Sequence, residues 1–236
     1  MNTHIRRPHP KQGSASPLTL DLVRRALSLP LPGRAAQVEM AVQPRPGDRA
    51  ELPNPCPNEA AVLILLYPQG GELCFPLTRR TENVFAHKGQ ISLPGGAREP
   101  GDASFEETAR RETTEELGIL ARRVEILGSL TPLYVPVSRF CIYPYVGHIP
   151  RRPTFRPDPI EVAEVIEMPL SLLLDRSARA VETRVIEGIS LTIPYYHVSG
   201  HRVWGATAMI LAEFGALLQA VLDDLNHEDT KSRRVK

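Results

Sequence analysis

The stretch from residue 95 to residue 119 constrains the fold most, because it predicts a glycine turn, a polar loop and one helix with both ends marked. Ser104 and Glu107 have the spacing of a capping box, in which side chains accept hydrogen bonds from the backbone at the start of a helix. Gly118 stands where a left-handed residue would end the helix. The sequence therefore predicts a helix over about residues 105–117.

This helix has an apolar stripe and an acidic one. The apolar stripe recurs at four-residue steps and consists of Phe105, Ala109, Thr113 and Leu117. The acidic stripe consists of Glu112, Glu115 and Glu116. A glutamate-rich helix is usually a solvated face, but carboxylates at such spacings repel each other. Hard cations such as Mg²⁺ and Mn²⁺ take oxygen ligands and would offset this repulsion, so the three glutamates are candidate metal ligands.

The same helix contains a longer motif. After the Gly-Gly pair and the capped start, residues 111–119 read Arg-Glu-Thr-Thr-Glu-Glu-Leu-Gly-Ile. This order resembles the second half of the Nudix box of the Nudix hydrolases, which is Arg-Glu-apolar-x-Glu-Glu-x-Gly-apolar. Thr113 replaces the aliphatic residue of that pattern.

The first half of the box departs from the family pattern. Counting back from Arg111 places Ala97 where the box has Gly and Ala103 where it has Glu. One extra residue before Arg111 explains both mismatches and puts Glu99 or Asp102 in the role of the early acid. The same expansion is found in the subfamily that resembles coenzyme A pyrophosphatases.

The residues upstream support this narrower resemblance. Residues 77–96 keep the spacing of the subfamily's motif, Leu-Thr-x-Arg-(Ser/Ala)-x3-Arg-x3-Gly-x3-Phe-Pro-Gly-Gly, and deviate from it at Thr81, Phe85 and Leu93. Phe85 stands where the motif has its second arginine, which removes a guanidinium able to bind phosphate in a bidentate way.

The resemblance implies a fold, a cofactor and a set of site residues. The fold is α/β, a Nudix-type α/β/α sandwich with a mixed β-sheet between helices. The cofactor is Mg²⁺ or Mn²⁺, and the substrate is a small nucleotide whose pyrophosphate bond is hydrolysed. The implied metal ligands are Glu112, Glu115 and Glu116, of which Glu115 and Glu116 are also catalytic. The implied substrate-binding residues are Arg79, Arg80, Lys88, Gly95 and Gly96, and the structural residues of the site are Arg111 and Gly118.

Two acids beyond the box complete the catalytic candidates. Glu161 and Glu164 lie in a stretch where acids alternate with apolar residues, which predicts a strand that Pro169 ends. In Nudix enzymes an acid after the box often supplies a further metal ligand or the general base, and these two glutamates are the candidates here. The alternation equally fits the solvent face of an ordinary strand.

Three functions are compatible with these motifs. The first is hydrolysis of coenzyme A or an acyl-coenzyme A, giving 3′-phosphoadenosine 5′-phosphate and 4′-phosphopantetheine. The second, favoured by Phe85, is hydrolysis of other nucleoside diphosphate derivatives, such as ADP-ribose or NADH, or of nucleoside triphosphates. The third is a Nudix-fold binding module without catalysis, against which the three intact glutamates argue.

Composition narrows the class further. The chain has 236 residues, 42% of them hydrophobic, and a formal net charge of +1. This predicts a soluble globular protein of one domain plus extensions, and it makes no electrostatic case for nucleic acid as a partner. No apolar run approaches the roughly 20 residues that span a bilayer, so no membrane is expected. Cys56, Cys74 and Cys141 are widely spaced and are interpreted as free thiols in a reducing compartment, which predicts a cytoplasmic protein.

Four segments follow from the pattern along the chain. Residues 1–16 are expected to be a disordered basic arm, with an organellar transit segment as the alternative. Residues 17–58 are expected to hold a short helix and a proline-rich segment that wraps the domain. Residues 59–225 form the Nudix domain, with hairpins before the box and around residues 187–188 and a long final helix. Residues 226–236 are a charged tail expected to be disordered, and a homodimer is left open.

Overall fold

The computed structural model describes residues 18–45, 47–49, 51–82, 89–186 and 188–234. Its α-helices are α1 (Leu20–Leu27), α2 (Arg34–Gln37), α3 (Phe105–Leu117) and α4 (Gly205–Arg234). The first strands are β1 (Asn58–Gln69), β2 (Glu72–Arg80), β3 (Ile91–Ser92), β4 (Gly95–Ala97), β5 (Glu125–Ser129) and β6 (Leu133–Val135). The later strands are β7 (Phe140–His148), β8 (Val162–Pro169), β9 (Arg179–Ile186), β10 (Ile189–Val198) and β11 (His201–Trp204). Short 3₁₀ helices cover Val38–Met40, Ala121–Arg123, Leu170–Leu173 and Arg176–Ala178.

The strands form two sheets. The larger has the order β3-β2-β1-β7-β5, with β4 paired to β1, β6 to β7 and β8 to β2. β1 and β7 run parallel, whereas the other pairs are antiparallel, so this sheet is mixed. The smaller is an antiparallel sheet with the order β11-β10-β9. The two predicted hairpins are confirmed as β1–β2 and β9–β10.

The larger sheet lies between helices on both faces. Successive residues of a strand point to opposite faces, and β1 shows the result. Leu63 and Leu65 pack with Ala109 and Leu117 of α3. The alternate residues of β1 and β2 pack with apolar residues of α1 and α4, and this second cluster includes Ile64, Leu66, Phe75, Val23, Met209 and Phe214. The predicted α/β/α sandwich with a mixed sheet is confirmed.

Helix α3 has the predicted bounds and the predicted caps. The Ser104 hydroxyl accepts a hydrogen bond from the Glu107 N–H at 3.2 Å, and Gly118 adopts the left-handed conformation with φ 68°. The Glu107 carboxylate accepts from the N–H of Ala103, at 2.8 Å, which is one residue before the predicted partner. Because both ends are fixed locally, the helix presents its two stripes in a defined direction.

The segments before and after the matched core are more ordered than expected. Residues 34–40 are helical rather than extended, and Ala36 and Met40 are buried. α4 continues to Arg234 instead of ending near Leu225, because no Gly or Pro interrupts residues 216–234 and charged residues such as Glu, Lys and Arg are good helix formers. The proposed arm, residues 1–16, lies outside the described residues.

Helix α4 also corrects the statement that no apolar run is long enough to span a bilayer. By length and composition alone, Gly205–His227 could cross a membrane, but 61% of its most apolar window is buried inside the protein. Met209, Leu211 and Phe214 have no exposed surface. In the structure this segment is a core helix that covers one face of the sheet.

The cysteines correct a second expectation. Cys56 and Cys141 form a disulfide, and Cys74 is a free, buried thiol. The pairing of β1 with β7 places Glu59 opposite Cys141, so Cys56, two residues before β1, comes beside β7. The interpretation of all three cysteines as free thiols was wrong because 85 residues separate the bonded pair in sequence. The argument from cysteines to a reducing compartment therefore no longer holds.

A buried carboxylate fastens the N-terminal segment to α4. Glu213 has no exposed surface. Its carboxylate accepts hydrogen bonds from the N–H of Gly33 at 3.2 Å and from the amide of Gln37 at 2.9 Å. It also accepts from the N–H of Thr131 at 3.2 Å and from the hydroxyl of Thr131 at 2.6 Å. One side chain thus joins three segments that are distant in sequence.

We expect Glu213→Leu to lower the free energy of unfolding by about 3 kcal/mol, because it leaves several buried donors without an acceptor. Urea unfolding at neutral pH measures this. Gln219→Leu on the exposed side of the same helix is the control, with an expected change within about 0.5 kcal/mol. A loss below about 1 kcal/mol for Glu213→Leu would contradict the proposed fastening.

Candidate active site

Arg111 is the centre of the charged cluster on α3. Its guanidinium donates to both oxygens of Asp102, with Nε–Oδ1 and Nη2–Oδ2 distances of 3.1 Å. Its Nη1 donates to Glu112 Oε1 and to Glu115 Oε2, both at 2.9 Å, and Nη2 donates to the carbonyl of Ala97 at 2.9 Å. One arginine therefore ties the loop before the helix to two of the three box glutamates.

Asp102 takes the position proposed for the early acid. Glu99, the other candidate, lies 3.9 Å from Arg111 and its side chain is 66% exposed, whereas that of Asp102 is 7% exposed. Asp102 also accepts hydrogen bonds from Thr108 Oγ1 at 2.9 Å and from the N–H of Glu99 at 3.0 Å. The pKa of Asp102 lies well below its usual range, mainly because of the hydrogen bonds from Arg111.

Glu116 is the most buried of the box glutamates, with 2% of its surface exposed. Arg80 Nη1 lies 3.5 Å from its Oε1, whereas its buried Oε2 has no hydrogen-bond partner among the described residues. Burial is the main cause that raises the pKa of Glu116 to about 8. The nearby charge of Arg80 acts to lower this pKa, whereas the charges of Glu112 and Glu161 act to raise it. A buried carboxylate with an unsatisfied oxygen is costly, so this position calls for a further positive charge.

The other two box glutamates differ from Glu116 and from each other. The Glu112 carboxylate lies against the backbone of Gly96, where a Cβ would come within 2.5 Å of it. Burial raises the pKa of Glu112, and Arg111 opposes this. Glu115 has a side chain that is 59% exposed and is held at the rim by Arg111. The three glutamates therefore share one helix side but not one environment.

The structure separates the two acids proposed beyond the box. Glu161 Oε2 lies 3.7 Å from Arg80 Nη2, and its charge acts on both Glu112 and Glu116. Glu164 Oε2 instead lies 3.1 Å from Arg79 Nε and 3.3 Å from His201 Nε2. Because successive strand residues point to opposite faces, Arg79 and Arg80 hold these acids on opposite faces of the sheet. Only Glu161 comes to the glutamate cluster.

The Gly-Gly pair forms a strand rather than the predicted turn. Gly95 and Gly96 lie in β4, opposite Val62 and Ala61 of β1. Gly95 has φ 152°, and a Cβ there would lie 2.3 Å from the carbonyl oxygen of Ala61. Strand β4 thus brings its backbone under the glutamates because neither residue has a side chain. Lys88, Phe85 and His87 lie outside the described residues.

His201 is a neighbour that sequence reasoning did not single out. Its contact with Glu164 joins β11 of the small sheet to β8 of the large one. The 36 intervening residues contain no motif that would have paired them. Only the tertiary fold reveals this link between the sheets.

Among the described residues, a pair of carboxylates could bind a divalent cation, but a complete set of ligands is not already assembled. No three His, Cys, Asp or Glu side chains in the described part of the chain already surround one point as ion ligands. Glu112 and Glu116 nevertheless supply hard oxygen donors, and the unpartnered Oε2 of Glu116 is a ready acceptor of positive charge. The raised pKa of both carboxyls has the sign expected of a site that lacks its counter-charge.

A three-layer sandwich with this glutamate cluster on α3 defines the class, and residues 57–187 match the NUDIX domain. The chain belongs to the Nudix hydrolase family. The uncharacterized Nudix hydrolase NudL of Photorhabdus laumondii is 34% identical over 167 residues, covering 69% of this chain and 86% of the relative. The mitochondrial coenzyme A diphosphatase NUDT8 of Homo sapiens is 36% identical over 168 residues, covering 70% of each chain. The crystal structure of RenU, a Nudix hydrolase of M. smegmatis, superposes with a TM-score of 0.46 at 16% identity, covering 70% of this chain and 86% of RenU.

The two glycines of β4 allow a paired test of the site. In Gly96→Ala the new Cβ meets the flexible end of Glu112, so we expect the carboxylate to move while stability changes little. In Gly95→Ala the Cβ meets the rigid backbone of Ala61, so we expect a loss of about 2 kcal/mol in unfolding free energy. Urea unfolding and Mn²⁺ titration of both variants measure this. Wild-type affinity for Mn²⁺ in Gly96→Ala would argue that Glu112 does not hold the metal.

Proposed function

We propose that this Nudix hydrolase cleaves the pyrophosphate bond of coenzyme A or an acyl-coenzyme A, releasing 3′-phosphoadenosine 5′-phosphate and 4′-phosphopantetheine. The observation that carries the reaction is the carboxylate cluster of Glu112, Glu116 and Glu161 beside Arg80, with Glu116 buried at its centre. The substrate is supported by the spacing of residues 77–96 and by the 36% identity to the human coenzyme A diphosphatase NUDT8.

The proposed cofactor is Mg²⁺ or Mn²⁺, since Nudix hydrolases generally use divalent metal ions. Glu112, Glu115 and Glu116 are the proposed ligands. When bound, such an ion neutralises phosphate oxygens and lowers the pKa of a coordinated water. The environment of Glu116 supports this proposal most directly, because its buried charge has only Arg80 as a cationic partner in the ion pairs of the described residues.

The chain's own residues would orient the reactants. Arg80 lies between Glu116 and Glu161, where a guanidinium can also bind a phosphate oxygen. Arg111 fixes the side chains of Glu112 and Glu115. Positioning of this kind is most of what phosphoryl transfer requires.

Glu161 is the proposed general base. It is 44% exposed at the mouth of the cluster, so water can reach its carboxylate. Glu164, the other acid that the sequence suggests, is held by Arg79 and His201 on the opposite face of the sheet. A base must lie within hydrogen-bond reach of the proton it removes, and this geometry favours Glu161.

The second candidate function is hydrolysis of ADP-ribose, NADH or a nucleoside triphosphate. Phe85 favours it, because the coenzyme A motif has an arginine at that position. The location of the protein also stays a proposal: we place it in the cytoplasm, although the human relative is mitochondrial. The homodimer stays a prediction.

We expect Glu115→Gln and Glu116→Gln each to lower kcat by about a hundredfold, because each replaces an ionised metal ligand by a neutral amide. Steady-state hydrolysis at saturating Mg²⁺ or Mn²⁺ measures this. Glu106→Gln is the matched control, since Glu106 lies on the same helix but pairs with Arg110 away from the cluster. Near-normal rates for both site variants would rule out this helix as the active site.

The general base is tested by Glu161→Gln against Glu164→Gln. We expect the first to reduce kcat and flatten the pH–rate profile with little change in apparent metal affinity, because only the proton acceptor is lost. The second should keep the profile of the wild type. An unchanged rate and profile in Glu161→Gln would eliminate it, and the reverse pattern would assign the base to Glu164.

A substrate panel tests the specificity. We expect kcat/KM to be highest for coenzyme A or an acyl-coenzyme A among coenzyme A, NADH, ADP-ribose, dinucleoside polyphosphates and deoxynucleoside triphosphates. Efficient hydrolysis of ADP-ribose or a triphosphate, with no hydrolysis of coenzyme A, would overturn the proposed substrate and leave the family assignment intact.

A further inference from the structure

A cleft of about 500 Å³ lies between the small sheet and the end of the loop before β3. Its lining includes Gln90 on one side and Arg184, His201, Arg202 and Trp204 on the other. The volume is in the range of small-molecule sites. The glutamate cluster lies on the other face of the large sheet. The reaction proposed for that cluster therefore does not by itself give this cleft a role.

The cleft carries an excess of positive charge. Arg184 Nη2 lies 2.5 Å from Glu182 Oε1, and Arg202 pairs with the other oxygen of the same carboxylate. Two guanidiniums thus share one carboxylate, which leaves a net charge of +1 in this group. Their side chains are 46% and 52% exposed. A guanidinium has five N–H donors, and the contact with Glu182 uses only part of them.

The sheet holds these groups in a fixed arrangement. Glu182 and Arg184 are two residues apart on β9, so their side chains share one face. Arg202 and Trp204 have the same relation on β11, and the Arg202 guanidinium lies 5.4 Å from the ring centre of Tyr195. On the opposite face of this sheet Tyr196, Val198 and Val203 are buried in the core. Two arginines and an aromatic ring are therefore presented side by side on a rigid surface.

A short series of contacts connects the cleft to the glutamate cluster. His201 and Arg79 both contact Glu164. Arg79 is followed directly by Arg80, which contacts Glu116. The two sets of contacts therefore start from neighbouring residues at the end of β2, on opposite faces of the large sheet. A substrate that reaches both sets would have to pass around this end of the strand.

We propose that the cleft binds the half of the substrate that carries a nucleobase and a phosphate monoester. Arg184 and Arg202 bind the monoester, since guanidinium forks match phosphate oxygens. Trp204 contacts the base through its ring. The inference rests on the proposed hydrolysis of coenzyme A, whose adenosine carries such a monoester at the 3′ position. The two arginines would then be specificity-determining residues.

Trp204 allows a binding test that needs no turnover, because it is the only tryptophan of the chain. We expect 3′-phosphoadenosine 5′-phosphate to quench its fluorescence at about tenfold lower concentration than AMP does, the scale of one charge-assisted hydrogen bond. Arg184→Gln and Arg202→Gln should each reduce this difference. Arg122→Gln, an exposed arginine after α3, should retain it. Equal affinities for the two probes in the wild type, or an unchanged difference in both cleft variants, would overturn the proposal.

Kinetics with coenzyme A and dephospho-coenzyme A complete the test, since these substrates differ only in the 3′-phosphate. We expect Arg184→Gln and Arg202→Gln to raise KM for coenzyme A by about tenfold with kcat retained, and to leave KM for dephospho-coenzyme A unchanged. A wild type that cleaves neither substrate overturns the proposed function, and the fluorescence titration then decides the cleft by itself. A wild type that cleaves both, with equal KM effects in the variants, overturns the cleft alone.

Discussion

The pairing of Arg111 with Asp102 is the interaction on which the arrangement of the site depends. It joins the loop before α3 to the helix through two hydrogen bonds, and the same guanidinium then reaches the next residue, Glu112, and Glu115 one turn further on. A planar fork with five donors can satisfy several carboxylates in one fixed geometry, which a lysine could not do. The repulsion between the acids on this helix face is therefore offset in part by Arg111. Glu116 is the exception, because Arg111 does not reach it and burial leaves one of its oxygens unpartnered.

The sequence predicted the parts of this structure that depend on near neighbours. The bounds and caps of α3, its apolar stripe and the two hairpins follow from spacings of two to five residues. What it did not predict are contacts between residues far apart in the chain, such as the Cys56–Cys141 bond and the hydrogen bonds of Glu213. For the site, Glu161 and Glu164 looked equivalent because a strand pattern does not say which face will meet the helix. Only the pairing of β8 with β2 separates them.

The end of β2 organises two environments through two successive residues. Arg80 faces α3 and the box glutamates, while Arg79 contacts Glu164, which also contacts His201 of the small sheet. The strand pleat thus sorts two like charges into different tasks without any difference in residue type. Removing the charge at either position would change the contacts on one face of the sheet only. The roles of residues 77–80 therefore cannot be assigned from the sequence motif unless the strand geometry is known.

Residues 57–187 carry the family match, but they do not bury their own sheet. One face of β1 and β2 is covered by α1 and α4, which come from outside that range, and Glu213 locks these covering segments to each other through Gly33 and Gln37. A fragment cut at the family boundaries would expose Ile64, Leu66 and Phe75 to water. The unit that is recognised by sequence and the unit that folds are therefore different, and insertions or fusions at either boundary would act on the stability of the whole catalytic sheet.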